Sequence, residues 1–240
     1  MKAIVTGGTS GIGKEISRQF LERGDEVVAI YAGDDKKAKN VVAEFNNPKF
    51  SIVKLDVTDE VAVKAFFESQ DTCDFLVNSA GISYGAKHFP EVPMSDVKRV
   101  IDVNLFGKMN CAKHVLPLLQ KSSMPRIVNI ASRYGSQPYR IGMMAYACAQ
   151  AAVIMMSKQL ALDYAQYGVR TNTVSPALTV TPMTTPLCTE EHFDAMAAKN
   201  PCGRLGTCAD IANMVMFLCS DKADFVNGEN INVNGGLTLL

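Results

Sequence analysis

Three polar side chains in one part of the chain could move a proton. Tyr146 and Gln150 lie four positions apart, so they share one face if their segment is helical. Ser132 lies fourteen positions before Tyr146, just after an apolar run. A phenol can give or take a proton, and a serine hydroxyl can hold the same oxygen in place. Gln150 can form hydrogen bonds but carries no charge, and an unassisted tyrosine with a pKa near ~10 is almost entirely neutral at pH 7.

The elements that must position these side chains alternate between two types. Short apolar runs rich in β-branched residues predict strands at 3–6, 26–31, 51–55, 75–78, 126–130, 171–175 and 230–233. Between them, Ile12, Ile16 and Phe20 repeat at helical spacing, and so do Val97, Ile101 and Leu105. This alternation predicts an α/β fold, a Rossmann-like doubly wound parallel sheet in three layers α/β/α. No linker interrupts the pattern, so we predict a single domain over residues 1–240.

A glycine-rich loop joins the first predicted strand to the first predicted helix. Its sequence is TGGTSGIG, residues 6–13. Gly7, Gly11 and Gly13 would let the backbone turn sharply and approach a pyrophosphate, while the helix N-terminus offers free N–H groups. Its place after the first strand and before a helix predicts a dinucleotide site.

Taken in order, these motifs resemble those of the short-chain dehydrogenase/reductase family, over essentially all of the 240 residues. The resemblance rests on the glycine loop, Asp56-Val57, Asn78-Ser79-Ala80-Gly81, Asn104, Ser132, Tyr146, Ser175-Pro176-Ala177, Thr179 with Thr181, and Asn234-Gly235-Gly236. It implies a catalytic set of Asn104, Ser132, Tyr146 and Gln150, the last of which stands where the family has lysine. It also implies cofactor contacts by Gly7, Thr9, Ser10, Gly11, Ile12, Gly13, Tyr31, Asp56, Val57, Asn78, Ala80, Gly81, Tyr146, Gln150, Pro176, Thr179 and Thr181.

The family resemblance implies an NAD(P)-dependent oxidoreductase. We expect it to reduce a ketone of a small or acyl-type substrate to a secondary alcohol, with Tyr146 as proton donor. The family's lysine binds the nicotinamide ribose and lowers the tyrosine pKa, and Gln150 can take over only the first task. Reduction near neutral pH should therefore be favoured over oxidation. Two alternatives stay open: a weak or silent dinucleotide-binding member, and a non-redox lyase or isomerase on the same fold.

Other cations could replace the missing lysine. Lys158 lies twelve residues beyond Tyr146, roughly 18 Å along a helix, which is too far. Lys108 follows Asn104 by one turn, and Arg133 adjoins Ser132. We expect both to be solvated or distant from the ribose.

The end of the second predicted strand bears on the choice of nucleotide. An acid there would bind the adenosine ribose diol, but the strand ends in Ile30 and Tyr31. The Tyr-Ala-Gly that begins at Tyr31 resembles the acyl-carrier-protein ketoreductases of the family, which use NADP. Lys36 and Lys37 could meet a phosphate. Asp34 and Asp35 count against one, and so does Ser10, which stands where many NADP users of the family carry a basic residue. We expect NADP(H) rather than NAD(H).

Composition narrows the class of protein. Twenty-four basic residues balance twenty-four acidic ones, so we expect no nucleic acid and no membrane. The family resemblance implies a small-molecule carbonyl or alcohol substrate. Seven cysteines without CxxC spacing and three dispersed histidines predict reduced thiols and no metal site. We expect no signal peptide and a cytoplasmic protein. The apolar segments 97–119 and 143–164 suggest helices buried in a homotetramer or homodimer, and segment 182–201 resembles a mobile substrate loop.

Overall fold

The computed structural model describes residues 1–85, 87–138 and 140–239. Seven strands form one parallel sheet in the order β3-β2-β1-β4-β5-β6-β7. They are β1 Lys2–Thr6, β2 Glu26–Tyr31, β3 Phe50–Lys54, β4 Phe75–Asn78, β5 Arg126–Ile130, β6 Arg170–Pro176 and β7 Asn230–Val233. Four of the predicted runs have the observed bounds, and the other three differ by one residue at one or both ends. The strands are nearly continuous apolar runs because both faces of the sheet are covered.

The described part of the chain contains eight α-helices. They are α1 Gly11–Glu22, α2 Asp35–Phe45, α3 Glu60–Glu68, α4 Met94–Ile101, α5 Gly107–Leu119, α6 Met144–Asp163, α7 Glu190–Lys199 and α8 Cys208–Leu218. On one face of the sheet, Ile16 and Phe20 of α1 pack with Ile211 and Val215 of α8. On the other face, Phe67 of α3 and residues of α5 form a second core. The predicted three-layer Rossmann-like arrangement is confirmed.

The chain between α4 and α5 departs from regular helix. Residues Asp102–Phe106 form a π-helical turn, which the sequence pattern did not predict. Val97 is buried, whereas Ile101 at the end of α4 and Leu105 within the turn are only partly covered. It also places Asn104 inward, at 1% exposure. Such turns occur frequently at functional sites.

Parallel strands bring their carboxyl ends to one edge of the sheet. β1 and β4 are neighbours in the middle of the sheet. From β1 the chain first builds the sheet outward to β2 and β3, and from β4 it builds the sheet in the opposite direction. The loops that follow β1, β4, β5 and β6 therefore meet above this point. In open α/β sheets a crevice forms at such a reversal, and ligands bind there.

Candidate active site

A cavity of about 670 Å³ lies at this edge of the sheet. Thirteen of the predicted site residues line it: Gly7, Ser10, Gly11, Ile12, Ala80, Gly81, Asn104, Ser132, Tyr146, Gln150, Pro176, Thr179 and Thr181. Six others lie outside its lining: Thr9, Gly13, Tyr31, Asp56, Val57 and Asn78. All four residues of the predicted catalytic set are thus brought together with the glycine loop.

The glycine loop forms one end of the cavity through its backbone. Gly7 and Gly11 have φ angles of +69° and +49°, a region that other residues rarely adopt. A Cβ on Gly13 would collide with the Gly7 carbonyl oxygen, so the start of α1 packs directly on the loop. Ser10, the N-cap of α1, makes no side-chain cap hydrogen bond. The first N–H groups of α1 therefore remain available to an anion at this end.

The loop after β4 forms the floor of the cavity and is fixed from two sides. Thr6 Oγ1 accepts hydrogen bonds from the backbone N–H groups of Ser79 and Ala80, at 3.1 and 3.0 Å. A Cβ on Gly81 would lie 2.6 Å from Asn104 Oδ1, so only glycine fits beneath that amide. The floor is therefore held against both β1 and the π-helical turn.

Asn104 connects the floor to α6. Its Nδ2 donates to the carbonyl oxygens of Val100 and Ile82, at 2.8 and 2.9 Å. Its Oδ1 accepts from the Ile82 N–H at 3.2 Å and from Gln150 Nε2 at 3.4 Å. Asn104 is therefore saturated by protein partners and holds the amide of Gln150 in one orientation.

Ser132 and Tyr146 both line the cavity, and the Ser132 hydroxyl acts on the Tyr146 phenol. Ser132 follows β5 and also accepts from the Tyr134 N–H at 3.3 Å. Removal of water from around the phenol raises the pKa of Tyr146 to about 12, and the Ser132 hydrogen bond offsets only part of this rise. Among the described residues, no lysine or arginine contributes to the pKa change of Tyr146. The phenol is therefore neutral at physiological pH and can act as an acid.

Gln150 lies beside this pair and is almost fully buried, at 2% exposure. Its amide nitrogen faces Asn104, while its carbonyl oxygen Oε1 has no hydrogen-bond partner among the described residues. The turn after β5 packs tightly on the same helical turn, because a Cβ on Gly135 would lie 2.8 Å from the Gln150 backbone oxygen. A buried carbonyl oxygen without a donor is costly, so this atom is suited to a hydroxyl group that enters the cavity.

Two cations lie where solvated side chains were expected. Lys108 is 2% exposed and Arg133 is 5% exposed, so neither is solvated, and the alternative that they lie far from the ribose stays a prediction. Lys108 Nζ donates to the carbonyl oxygens of Asn78 and Ala80, at 3.0 and 2.7 Å. Lys108 and Arg133 both line the cavity. The sequence signal for Lys108 is its position one turn after Asn104, in a helix that is otherwise apolar on that side.

At the far end of the cavity, Lys37 lies close to the glycine loop. Its Nζ donates to Ser10 Oγ at 3.1 Å. The nearby acids are engaged elsewhere: Asp34 caps α2 by accepting from the Lys37 N–H, and Asp35 pairs with Lys54 at 2.9 Å. Asp56 pairs with Arg99 at 2.9 Å. Among the described lining residues, the charged side chains are Lys37, Lys108, Arg133 and Arg140, and none is acidic.

Comparison with known proteins agrees with this geometry. Residues 7–238 match the family model described as enoyl-(acyl carrier protein) reductase. The 3-oxoacyl-[acyl-carrier-protein] reductase FabG of Staphylococcus aureus is 36% identical, over 98% of this chain and 97% of that protein. The 2-dehydro-3-deoxy-L-rhamnonate dehydrogenase (NAD(+)) of a Sphingomonas species is 34% identical, over 98% and 94%.

The solved structures show the same fold. The structure of ElxO with NADP bound superposes with a TM-score of 0.90 at 29% identity, covering 100% of this chain and 99% of that one. In the described part of this chain, no helix is both long and apolar enough to cross a membrane. The fold, the family model and the relatives at 34–36% identity together show that this chain belongs to the short-chain dehydrogenase/reductase family.

Proposed function

We propose that this protein reduces a ketone to a secondary alcohol with NADP(H) as cofactor. The observation that carries the proposal is that Ser132 and Tyr146 line the same cavity as the glycine loop. Two features support a dinucleotide in this cavity: the backbone cradle, which has no room for a Cβ at Gly13, and Gln150 Oε1, which has no donor among the described residues. When bound, the nicotinamide supplies the hydride.

The protein's own groups account for the proton half of the reaction. Ser132 holds the substrate carbonyl oxygen by a hydrogen bond, and Tyr146 donates its proton to that oxygen as negative charge develops. Because the pKa of Tyr146 is about 12, roughly one phenol in 10⁵ is ionised at pH 7. The donor form is fully populated and the base form is scarce. The same arrangement therefore supports reduction and disfavours oxidation at neutral pH.

The preference for NADP(H) is supported by the charges at the glycine-loop end. Lys37 and Ser10 are hydrogen-bonded to each other beside the loop and could both face a 2′-phosphate. Asp34 and Asp35 would repel a phosphate, but both have partners in the protein. Asp34 accepts a hydrogen bond at the N-terminus of α2, and Asp35 pairs with Lys54. The relatives include one whose name specifies NAD(+) and a structure that holds NADP, so the assignment to this chain rests on its own side chains.

The substrate end of the cavity favours a ketone with an anionic group. Arg133 and Arg140 line it together with apolar side chains such as Met143 and Met196, and no described acidic residue lines it. One relative is named for a sugar acid, and another for a 3-oxoacyl chain on a carrier protein. A short acyl chain or a keto acid fits both the apolar walls and the arginines.

A carbonyl-panel assay with NADPH tests the proposal. The panel contains 3-oxoacyl thioesters, sugar-derived keto acids and uncharged ketones of equal length, with NADPH consumption and alcohol formation both measured. We expect turnover of an anionic ketone that exceeds turnover of its neutral ester. NADPH binding with no turnover across the panel would favour a silent dinucleotide-binding protein, a second candidate that the uncharged Gln150 and the high pKa of Tyr146 support. Product formed without net change in NADPH would favour a lyase or isomerase.

We also propose a homo-oligomer whose interface includes α6. Met155 and Leu162 on this helix are 63% and 74% exposed in the isolated chain, although the helix is apolar on most sides. Exposed apolar residues of this kind mark interfaces. Light scattering of the purified protein should give a dimer or tetramer, and Leu162→Glu should shift it toward the monomer. A wild-type monomer would contradict the proposal. The single domain over residues 1–240 stays a prediction.

A further inference from the structure

Lys108 is a buried cation that the fold does not neutralise. Its side chain is 2% exposed, and no carboxylate in the described part of the chain pairs with it. Its two partners are the backbone carbonyl oxygens of Asn78 and Ala80. Burial lowers the pKa of Lys108 to about 8, so the ammonium form persists at neutral pH at a cost to folding. An apolar side chain at position 108 would avoid this cost, which suggests a role beyond stability.

The bonding pattern of Lys108 complements that of Gln150. An ammonium group has three N–H donors, and the described protein groups accept two of them. Gln150 Oε1 is a buried acceptor with no donor among the described residues. Both side chains line the same cavity, and Asn104, one turn before Lys108 on the chain, is hydrogen-bonded to Gln150. Lys108 therefore keeps one open donor, and Gln150 one open acceptor, in the same cavity.

We propose that Lys108 and Gln150 together bind one hydroxyl group of the nicotinamide ribose. Lys108 donates a hydrogen bond to the hydroxyl oxygen, and Gln150 Oε1 accepts a hydrogen bond from the hydroxyl group. A hydroxyl can accept and donate at once, so it satisfies both open positions. Both residues line the cavity that also holds Tyr146. The inference rests on the proposed use of a nicotinamide nucleotide. In it both residues contact the ribose, and Lys108 alone supplies the positive charge.

A purely structural role for Lys108 is the alternative. In that case the ammonium only ties the loop after β4 to α5. The experiment must therefore separate loss of a ribose contact from loosening of the loop, and must do so without relying on turnover.

The test compares Lys108→Met and Gln150→Met with the wild type by nucleotide binding. NADPH affinity is measured by the fluorescence of the bound nicotinamide, and 2′,5′-ADP affinity by calorimetry; NADH and ADP serve as the parallel pair. Both 2′,5′-ADP and ADP lack the nicotinamide ribose. Lys113→Met is the matched control, because Lys113 lies on the same helix but its side chain is 67% exposed. Urea unfolding of each variant reports whether it folds.

We expect Lys108→Met to bind NADPH about 10- to 100-fold more weakly, the usual effect of losing a charge-assisted hydrogen bond. Binding of 2′,5′-ADP should change by less than about twofold, as should both affinities of Lys113→Met. The double variant of Lys108 and Gln150 should cost little more than the larger single change, because both side chains serve one hydroxyl. In the Lys108→Met background, Gln150→Lys should restore most of the NADPH affinity.

Three results would overturn the inference. Unchanged NADPH affinity in Lys108→Met would show that the ammonium binds no ribose hydroxyl, as would an equal loss for NADPH and 2′,5′-ADP. Failure of Gln150→Lys to restore binding would show that the two positions do not share a task. A wild-type protein that binds neither NADPH nor NADH would instead overturn the proposed function itself.

Discussion

The two ends of the cavity are built from different parts of the chain. At the glycine-loop end the shape is made by backbone, with positive φ at Gly7 and Gly11 and no room for a Cβ at Gly13. At the other end it is made by side chains: the Ser132–Tyr146 pair, and Gln150 held by Asn104. At the glycine-loop end, nucleotide binding should tolerate a change of charge better than an added methyl group. At the side-chain end, the reaction rate should be more sensitive to loss of a polar group than to a change in volume. We therefore expect the first end to serve binding and the second to serve chemistry.

The largest effect is expected at the side-chain end, from Tyr146→Phe. Loss of the proton donor should reduce the rate of ketone reduction by about 10²- to 10⁴-fold, the usual contribution of a general acid. NADPH affinity should change by less than about threefold. Steady-state rates and NADPH fluorescence measure the two quantities. Tyr167→Phe, at a residue far from the cavity lining, is the control, and a Tyr146→Phe variant with more than a tenth of the wild-type rate would remove Tyr146 from the chemistry.

At the glycine-loop end, an added side-chain atom should weaken nucleotide binding. Gly13→Ala places a methyl group against the Gly7 carbonyl oxygen, so the loop must move before α1 can form its first turn. We expect NADPH and 2′,5′-ADP binding to weaken together, by about 100-fold, given that a clash of this kind costs a few kcal/mol. Gly33→Ala is the matched control, because nothing lies within 4 Å of a Cβ there. Equal binding by both variants would show that the loop does not depend on close packing at Gly13.

Much of the fold and part of the site follow from local sequence. The strand β2, for example, is an apolar run between turns, and the loop residues 6–13 carry their own conformational requirements. The π-helical turn at Asn104 and the burial of Lys108 do not follow, because they depend on contacts with Ile82, Asn78 and Ala80 that are distant in sequence. An ordinary amphipathic pattern also places lysine on solvent, so only the fold reveals this one as buried.

The burial of Lys108 should make the free energy of unfolding depend on pH. Burial lowers the pKa of Lys108 from its ordinary value near ~10.4 to about 8. Between these two pH values the unfolded chain binds more protons at this group than the folded chain does, so stability rises with pH. Relative to Lys108→Met, the free energy of unfolding of the wild type should therefore increase by about 3 kcal/mol from pH 8 to 10.5.

Urea unfolding of both proteins at several pH values measures this difference. Cys111 is the titratable group that interacts with Lys108, and burial raises the pKa of its thiol to about 12, so it stays neutral over this interval. A stability difference that does not vary with pH would mean that burial does not lower the pKa of Lys108.

The smallest effect is expected from charge at the glycine-loop end. Lys37→Met removes the ammonium beside Ser10. It should weaken NADPH binding by about 10-fold, as expected for one exposed charge-assisted contact, and leave NADH binding unchanged. Lys36→Met, at the exposed neighbouring position, is the control. A Lys37→Met variant that keeps the wild-type ratio of NADPH to NADH affinity would show that Lys37 does not select the nucleotide.

The most direct test of a neutral phenol as proton donor is the pH dependence of both reaction directions. Single-turnover rates of reduction and oxidation are measured from pH 6 to 11 on the wild type and on Gln150→Lys. With the pKa of Tyr146 at about 12, wild-type reduction should stay constant to pH 10 while oxidation rises about tenfold per pH unit throughout. In Gln150→Lys, oxidation should level off at a lower pH. A wild-type oxidation rate that reaches its plateau below pH 9 would contradict the account.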